Sequence, residues 1–334
     1  MTRRSTLSIA LSIVALSAAL SVFWSATPAL SQGEGTGAGT GAGTWTTRSP
    51  MLAIRNEVAA AALNGRIYVI GGSVGGGRYD YTRNEEYDPA TDRWRARAEL
   101  PSGANHMIAT AANGKVYAVG GFRGSQHKDP VAGVYEYDPG TDAWRTLPPL
   151  SSPRGSVALA AVGNRIHAIG GRGGDGKPVT THQVLDPATG IWSNAAPLIR
   201  ARDHTATIAV NGRIHVIGGR FSEAGDTTNM HEVYDPVTDR WGSMPAIPSL
   251  RSSLAVTLYM GMILVVGGET TGGSLTDNEG FDLKQNRWVK LAPLPLPRHG
   301  IGGATVGEVA YFVGGAQGVG GNGTSDQLFA FTLP

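Results

Sequence analysis

The chain has 334 residues, 48 of them glycine, no cysteine, and a formal net charge of +2. The missing cysteines exclude disulfide staples, thiol catalysis and any cysteine-linked tyrosine cofactor. A near-neutral balance without a Lys/Arg run argues against the basic footprint that nucleic-acid binding needs, so no nucleic-acid partner is expected.

The first 31 residues stand apart. Arg3-Arg4 precedes an apolar stretch from Leu7 to Phe23, and Ala29-Leu30-Ser31 forms a small-residue site before Gln32. This order predicts a secretory signal peptide over residues 1–31. The run approaches membrane-spanning length, but its interspersed serines and the small-residue site favour cleavage. The mature chain is then expected to be secreted or periplasmic, with no membrane span. Arg3 and Arg4 are the only charges in this segment, which leaves 26 basic and 26 acidic residues in the rest. Residues 32–43 are mostly Gly, Thr and Ala and read as a flexible linker.

From residue 44 onward one pattern recurs. Gly-Gly closes a short apolar run at Gly71-Gly72, Gly120-Gly121, Gly170-Gly171, Gly218-Gly219, Gly267-Gly268 and Gly314-Gly315, in steps of 47 to 50 residues. Trp45, Trp94, Trp144, Trp192, Trp241 and Trp288 keep the same rhythm. A period near 50 residues signals a repeat architecture. In the first full unit, Asn64-Gly65 joins two apolar runs, as a type I′ hairpin turn does. Asp88-Pro89-Ala90-Thr91-Asp92 is a second turn, before Trp94. Each unit is therefore four short strands. The second-strand runs, such as Val116 to Val119, are apolar on successive residues, as strands buried on both faces are. The last unit lacks its Trp, whereas Trp45 has no Gly-Gly before it. The segment Thr44 to Thr47 is expected to complete that last unit and close a ring, which removes exposed sheet edges.

The apolar strand ending in Gly-Gly, the Tyr-Asp pair and the spaced Trp resemble the kelch repeat over residues 45 to 334. The resemblance implies an all-β fold, a six-bladed kelch-type β-propeller over residues 44–334, with one repeat per blade around a central channel. The loops after Gly-Gly and after Trp share one end, where they are long and variable. That long-loop face is the candidate for function.

Five of the six residues sixteen before each Gly-Gly are arginine: Arg55, Arg154, Arg202, Arg251 and Arg298, with Ala104 the exception. They read either as a guanidinium ring for a carboxylate ligand or as a structural device of the repeat. The next two positions vary: Asn56-Glu57, Asn105-His106, Gly155-Ser156, Asp203-His204, Ser252-Ser253 and His299-Gly300. A structural role repeats, whereas a site breaks the repeat. Glu57, His106, His204 and His299 are the candidate acid–base groups, and Asp203 joins the arginines as a candidate ligand contact. The bland alternative is scattered solvated residues. His167 and His215 share the slot of Tyr68, Tyr117 and Tyr311, so they read as structural. Glu223, Asp226 and His231 faintly resemble the iron ligands of kelch-type plant specifier proteins, but their spacing departs from that pattern. No metal or cofactor is expected.

The leading expectation is a binding module that holds a protein or glycan on the long-loop face. The alternative is a sugar-processing enzyme, because the chain resembles exported kelch propellers of the sialic acid mutarotase/epimerase type. That resemblance implies an acidic sugar held by arginine, with His or Glu moving the proton. Kelch copper oxidases need a cysteine-linked tyrosine, which this chain cannot make.

Overall fold

The computed structural model describes residues 42–334, apart from residues 126 and 223–225 and the side chain of residue 319. The expected signal peptide and nearly all of the linker lie outside the described residues. Blade 1 pairs Ala59–Leu63, Arg66–Ile70, Asn84–Asp88 and Arg93–Arg97 in that order, all antiparallel. Blades 2 to 5 repeat the order over residues 108–146, 158–194, 206–243 and 255–290. Blade 6 joins Gly302–Val306, Val309–Val313 and Leu328–Thr332 to Thr44–Arg48 from the other end of the chain. Trp45 lies opposite Phe331, as Trp94 lies opposite Tyr87. The innermost strands neighbour one another in sequence, and Gly302–Val306 touches Ala59–Leu63, so the ring is closed. This is the expected six-bladed propeller.

The sequence explains each joint. Gly71 and Gly72 both have positive φ, 63° and 88°. A Cβ on Gly71 would stand 2.8 Å from the Ala104 carbonyl oxygen of the next blade, to which the Gly72 N–H donates at 3.1 Å. Only glycine fits both the backbone angle and the close approach. The same bond recurs at all six Gly-Gly pairs, ending with Gly315 N–H to Arg55 O at 2.9 Å. At the outer edge every repeated Trp reaches across a blade boundary, for example Trp94 Nε1 to Ser49 O and Trp45 Nε1 to Ala292 O, both 2.8 Å. The Asp-Pro turns close as expected. Asp88 accepts from Ala90 N–H at 3.0 Å, and Asp282 does the same for Lys284 without a proline.

The core sits between blades rather than within them. Val58, Ile67, Val69 and Tyr87 of blade 1 interleave with Ala304, Tyr311, Val313 and Leu328 of blade 6, and five similar clusters fill the other boundaries. Near the axis six strands converge, which is why blade 1 begins with four alanines. A Cβ on Gly303 would stand 2.8 Å from the Val256 carbonyl oxygen. The glycine-rich loops after Gly-Gly differ from the expected flexible coil. Four of them fold into small two-stranded hairpins, such as Ser73–Val74 with Tyr79–Asp80.

Two histidine pairs lie inside the blades. His167 Nδ1 and His182 Nε2 are 3.0 Å apart, and His215 Nδ1 and His231 Nε2 are 2.8 Å apart. His231 is thus a core residue, away from Asp226, and the third member of that expected trio, Glu223, lies outside the described residues. Burial lowers His167, His182 and His215 to about 4, and His231 to about 3. Unfolded imidazoles take up a proton near pH 6.5. Between about pH 6.5 and 4 the unfolded chain therefore binds more protons than the folded one, and stability falls as pH falls. The slope is about 1.4 kcal/mol per pH unit for each imidazole kept neutral. Asn84 and Asn278 occupy the His182 and His231 slot in blades 1 and 5, and they donate to the matching backbone carbonyls. Melting temperatures across this window should fall less steeply for the double variant His182→Asn, His231→Asn. An unchanged slope would show that other groups set the acid sensitivity.

Candidate functional site

The position two residues after the repeated arginine forms a collar around the channel. Glu57, His106, Ser156, His204, Ser253 and Gly300 all adopt the left-handed region, with φ between 50° and 60°. That conformation costs a non-glycine residue about 1 kcal/mol or more. In exchange, backbone bonds run from blade to blade. Glu57 N–H donates to Gly300 O at 2.8 Å, His106 to Glu57 at 3.2 Å and Ser156 to His106 at 3.2 Å. Ser253 donates to His204 at 2.9 Å and Gly300 to Ser253 at 3.0 Å. The backbone of the collar repeats; its side chains do not. A Cβ on Gly300 would stand 2.6 Å from the Glu57 carboxyl carbon. The missing sixth side chain is what gives Glu57 room to lie across the ring.

Above the collar opens a cavity of about 450 Å³ on the long-loop face. Glu57, His106, His127, His204, Arg220, Glu269 and His299 supply its titratable lining. Glu57 Oε2 is 3.2 Å from His106 Nε2, and Glu57 Oε1 is 3.7 Å from His299 Nε2. Burial alone would raise the Glu57 carboxyl. The His106 imidazole and its hydrogen bond, with His299, outweigh burial and hold it well below the usual carboxylate range. Burial pushes His204 and His127 in the other direction for a base, far below the usual imidazole range, so both are neutral. Glu269 Oε2 lies 3.7 Å from His299 Nε2, and Ser253 Oγ donates to Glu269 Oε1 at 3.1 Å.

Of the expected site residues, Glu57, His106, His204 and His299 do converge. Asp203 is adjacent but does not line the cavity. It is fully buried, accepts from Arg172 Nε at 2.7 Å and Arg220 Nε at 3.1 Å, and fixes His204 through Nδ1 at 2.5 Å. It orients the site rather than touching a ligand.

The expected guanidinium ring is a correction. Arg55, Arg154, Arg202, Arg251 and Arg298 are each at most 1% exposed. They point into the blades, not the channel mouth. Arg251 donates to Gly267 O, Asp277 O and Val265 O at 2.9 to 3.1 Å and pairs with Glu279 at 2.7 Å. Arg55 pairs with Glu85 at 3.2 Å, Arg202 pairs with Glu232, and Arg298 donates to Gln327. Arg154 meets Gln183 rather than a carboxylate, and burial pulls its guanidinium down to about 10. With those five withdrawn, the cavity lining carries, among the described residues, Glu57 and Glu269 against one guanidinium, that of Arg220. A neutral polar or cationic ligand fits that balance better than an acidic one.

Three cavity residues escaped the sequence reading. Arg220 and Glu269 directly follow Gly-Gly, where other blades have Ser73, Phe122, Arg172 and Ala316. That position breaks the repeat just as the collar does, so the signal was there. His127 sits in the loop beyond Gly120-Gly121, outside any repeated position, and no spacing pointed to it.

Comparison with known proteins agrees with the repeat. The profile of the KLHDC2/KLHL20/DRC7 Kelch-repeats domain matches residues 156–333, and the Kelch motif matches residues 54–101 and 109–151. No curated protein matches in sequence. The solved structure of YjhT is similar in fold, with a TM-score of 0.72 and 16% identity over 84% of this chain and 95% of that one. One kelch profile covers more than half of the chain and a second covers the two blades before it, and the protein belongs to the kelch-repeat family.

Proposed function

We propose that this propeller binds a carbohydrate in the channel mouth on its long-loop face. The observation that carries the reading is the cavity of about 450 Å³ in which Asn56, Glu57, Asn105, His106, Arg220 and Glu269 converge from a glycine-rich rim. Its size falls in the range of small-molecule sites, and its converging polar groups suit a ligand rich in hydroxyls. A protein partner on the outer loops is the competing occupant, and kelch propellers in general bind proteins. The test is a thermal-shift panel of neutral sugars, acidic sugars including sialic acid, and oligosaccharides. A bound sugar raises the melting temperature in proportion to its affinity. Glu57→Gln removes a charged acceptor and should weaken binding by about tenfold or more. Stabilisation by no sugar at millimolar concentration would sink this reading.

A second reading rests on one contact set. Glu57 lies within 3.2 Å of one imidazole and 3.7 Å of another. Two imidazoles flanking a carboxylate can take a proton from a sugar hydroxyl on one side and return one on the other, with the Glu57 charge steadying whichever ring is protonated. Such a pair supports an isomerase or epimerase, and anomer exchange followed by magnetisation transfer would report it.

A further inference from the structure

We propose that His106, His127 and His204 form a binding site for a divalent transition cation of the zinc type. One nitrogen from each lies within 4.8 Å of the others. His106 Nε2 and His127 Nε2 are 3.2 Å apart. Two imidazole nitrogens on a tetrahedral zinc, at metal–nitrogen distances near 2.05 Å, stand about 3.3 Å apart.

The hydrogen bonds behind the rings set which nitrogen faces the cavity. Asn105 commits its amide hydrogens to Asp80 Oδ1 at 2.6 Å and Gly124 O at 3.0 Å. Its Oδ1 is therefore what meets His106 Nδ1, at 2.5 Å. That oxygen only accepts, so Nδ1 carries a proton and Nε2 is the nitrogen that faces the cavity, able to ligate once it gives up its hydrogen bond to Glu57. The Asp203 carboxylate does the same to His204 Nδ1 at 2.5 Å. Imidazoles pinned through Nδ1 by side-chain oxygens are the usual outer shell of metal-ligating histidines. Glu57 Oε2, 3.2 Å from His106 Nε2, adds a negative group beside these nitrogens. A bound cation replaces the His106 hydrogen bond to that carboxylate. Nitrogen ligands without thiolate suit zinc, copper, nickel and iron.

Arg220 Nη2 donates to His204 Nε2 at 2.9 Å and Ser156 Oγ meets the same nitrogen at 3.1 Å, and the cation must displace both. The guanidinium keeps Asp203 at 3.1 Å and Glu269 at 3.5 Å as partners when it gives up this one. His127 supplies the ligand that no repeat position provides, and it holds φ at 54° to do so.

The site is independent of any sugar, so the probe is the metal alone. The full chain, stripped with a chelator, should bind one Zn²⁺ per chain in calorimetry, and Co²⁺ should give the intense visible absorption of a tetrahedral site. His127→Ala, in a loop, should keep the melting temperature and weaken Zn²⁺ by a hundredfold or more. Asn105→Ala should weaken it about tenfold to a hundredfold, through the released ring. His231→Asn, in the other histidine pair, should leave binding unchanged. Absence of saturable Zn²⁺ binding, or wild-type affinity in His127→Ala, would overturn the assignment. Loss of binding in His231→Asn with retention in His127→Ala would move the metal elsewhere.

Discussion

Arg251→Ala should destabilise the propeller by about 3–5 kcal/mol, because it strands the buried Glu279 carboxylate without its partner. Glu279 is 1% exposed, and three backbone carbonyls lose their donor as well. Blade 2 supplies the internal control. There Ala104 stands where the arginine would be, and Tyr135 holds the strand position that Glu279 holds in blade 5. Adding Glu279→Tyr to Arg251→Ala should therefore recover much of the loss. Denaturant melts of the three proteins decide the matter. If Arg251→Ala melts like the wild type yet loses a ligand, the ring of arginines is a binding device after all.

A chain beginning at Pro50 should lose more. It lacks Thr44–Arg48, the five-residue ladder to Leu328–Thr332, and the indole of Trp45. That indole lies 4.9 Å from the Phe331 ring and 5.5 Å from the Phe312 ring, centroid to centroid. Trp45 is partly buried, and losing its packing together with the five-residue ladder costs about 3–5 kcal/mol. For a domain of this size that is a fall of about 10 °C or more in melting temperature. The exposed strand left behind, Leu328-Phe329-Ala330-Phe331-Thr332, is apolar along its length and invites edge-to-edge association. A chain beginning at Ala42 should melt like the full chain, and light scattering should separate the two. Equal melting temperatures would mean that blade 6 stands on three strands.

Much of this was legible in the sequence, for an identifiable reason. The Gly-Gly and Trp positions are fixed by backbone contacts between blades, so they cannot drift, and their spacing revealed blade number and closure. The arginines were left between two readings although the information to choose the structural one was present. Arg55, Arg202 and Arg251 each have an acid three residues before the Asp of their second turn: Glu85, Glu232 and Glu279. Blade 2, without the arginine, has Tyr135 there instead. Four of the five arginines have Glu or Gln in that place, Arg154 having Gln183, and an acceptor that recurs with the arginine marks a structural pair. The residues of the collar could be picked out because their side chains vary over an unvarying backbone, and the structure places Glu57, His106, His204 and His299 around one cavity. His127 was out of reach, since nothing in a one-dimensional repeat says how far a loop folds back over the axis.

The gap at Gly300 has a consequence for stereochemistry. A ring of six equivalent groups looks the same after every sixth of a turn, so it offers a guest six equal orientations. Here one tooth of the ring is glycine, and the Glu57 carboxylate leans into its place. A single loop-borne imidazole, His127, stands over the same mouth. The rotational degeneracy of the propeller is thereby lifted to one arrangement. A chiral polyol entering this mouth meets a left and a right, and Gly300→Ser, which copies blades 3 and 5, would blur that distinction.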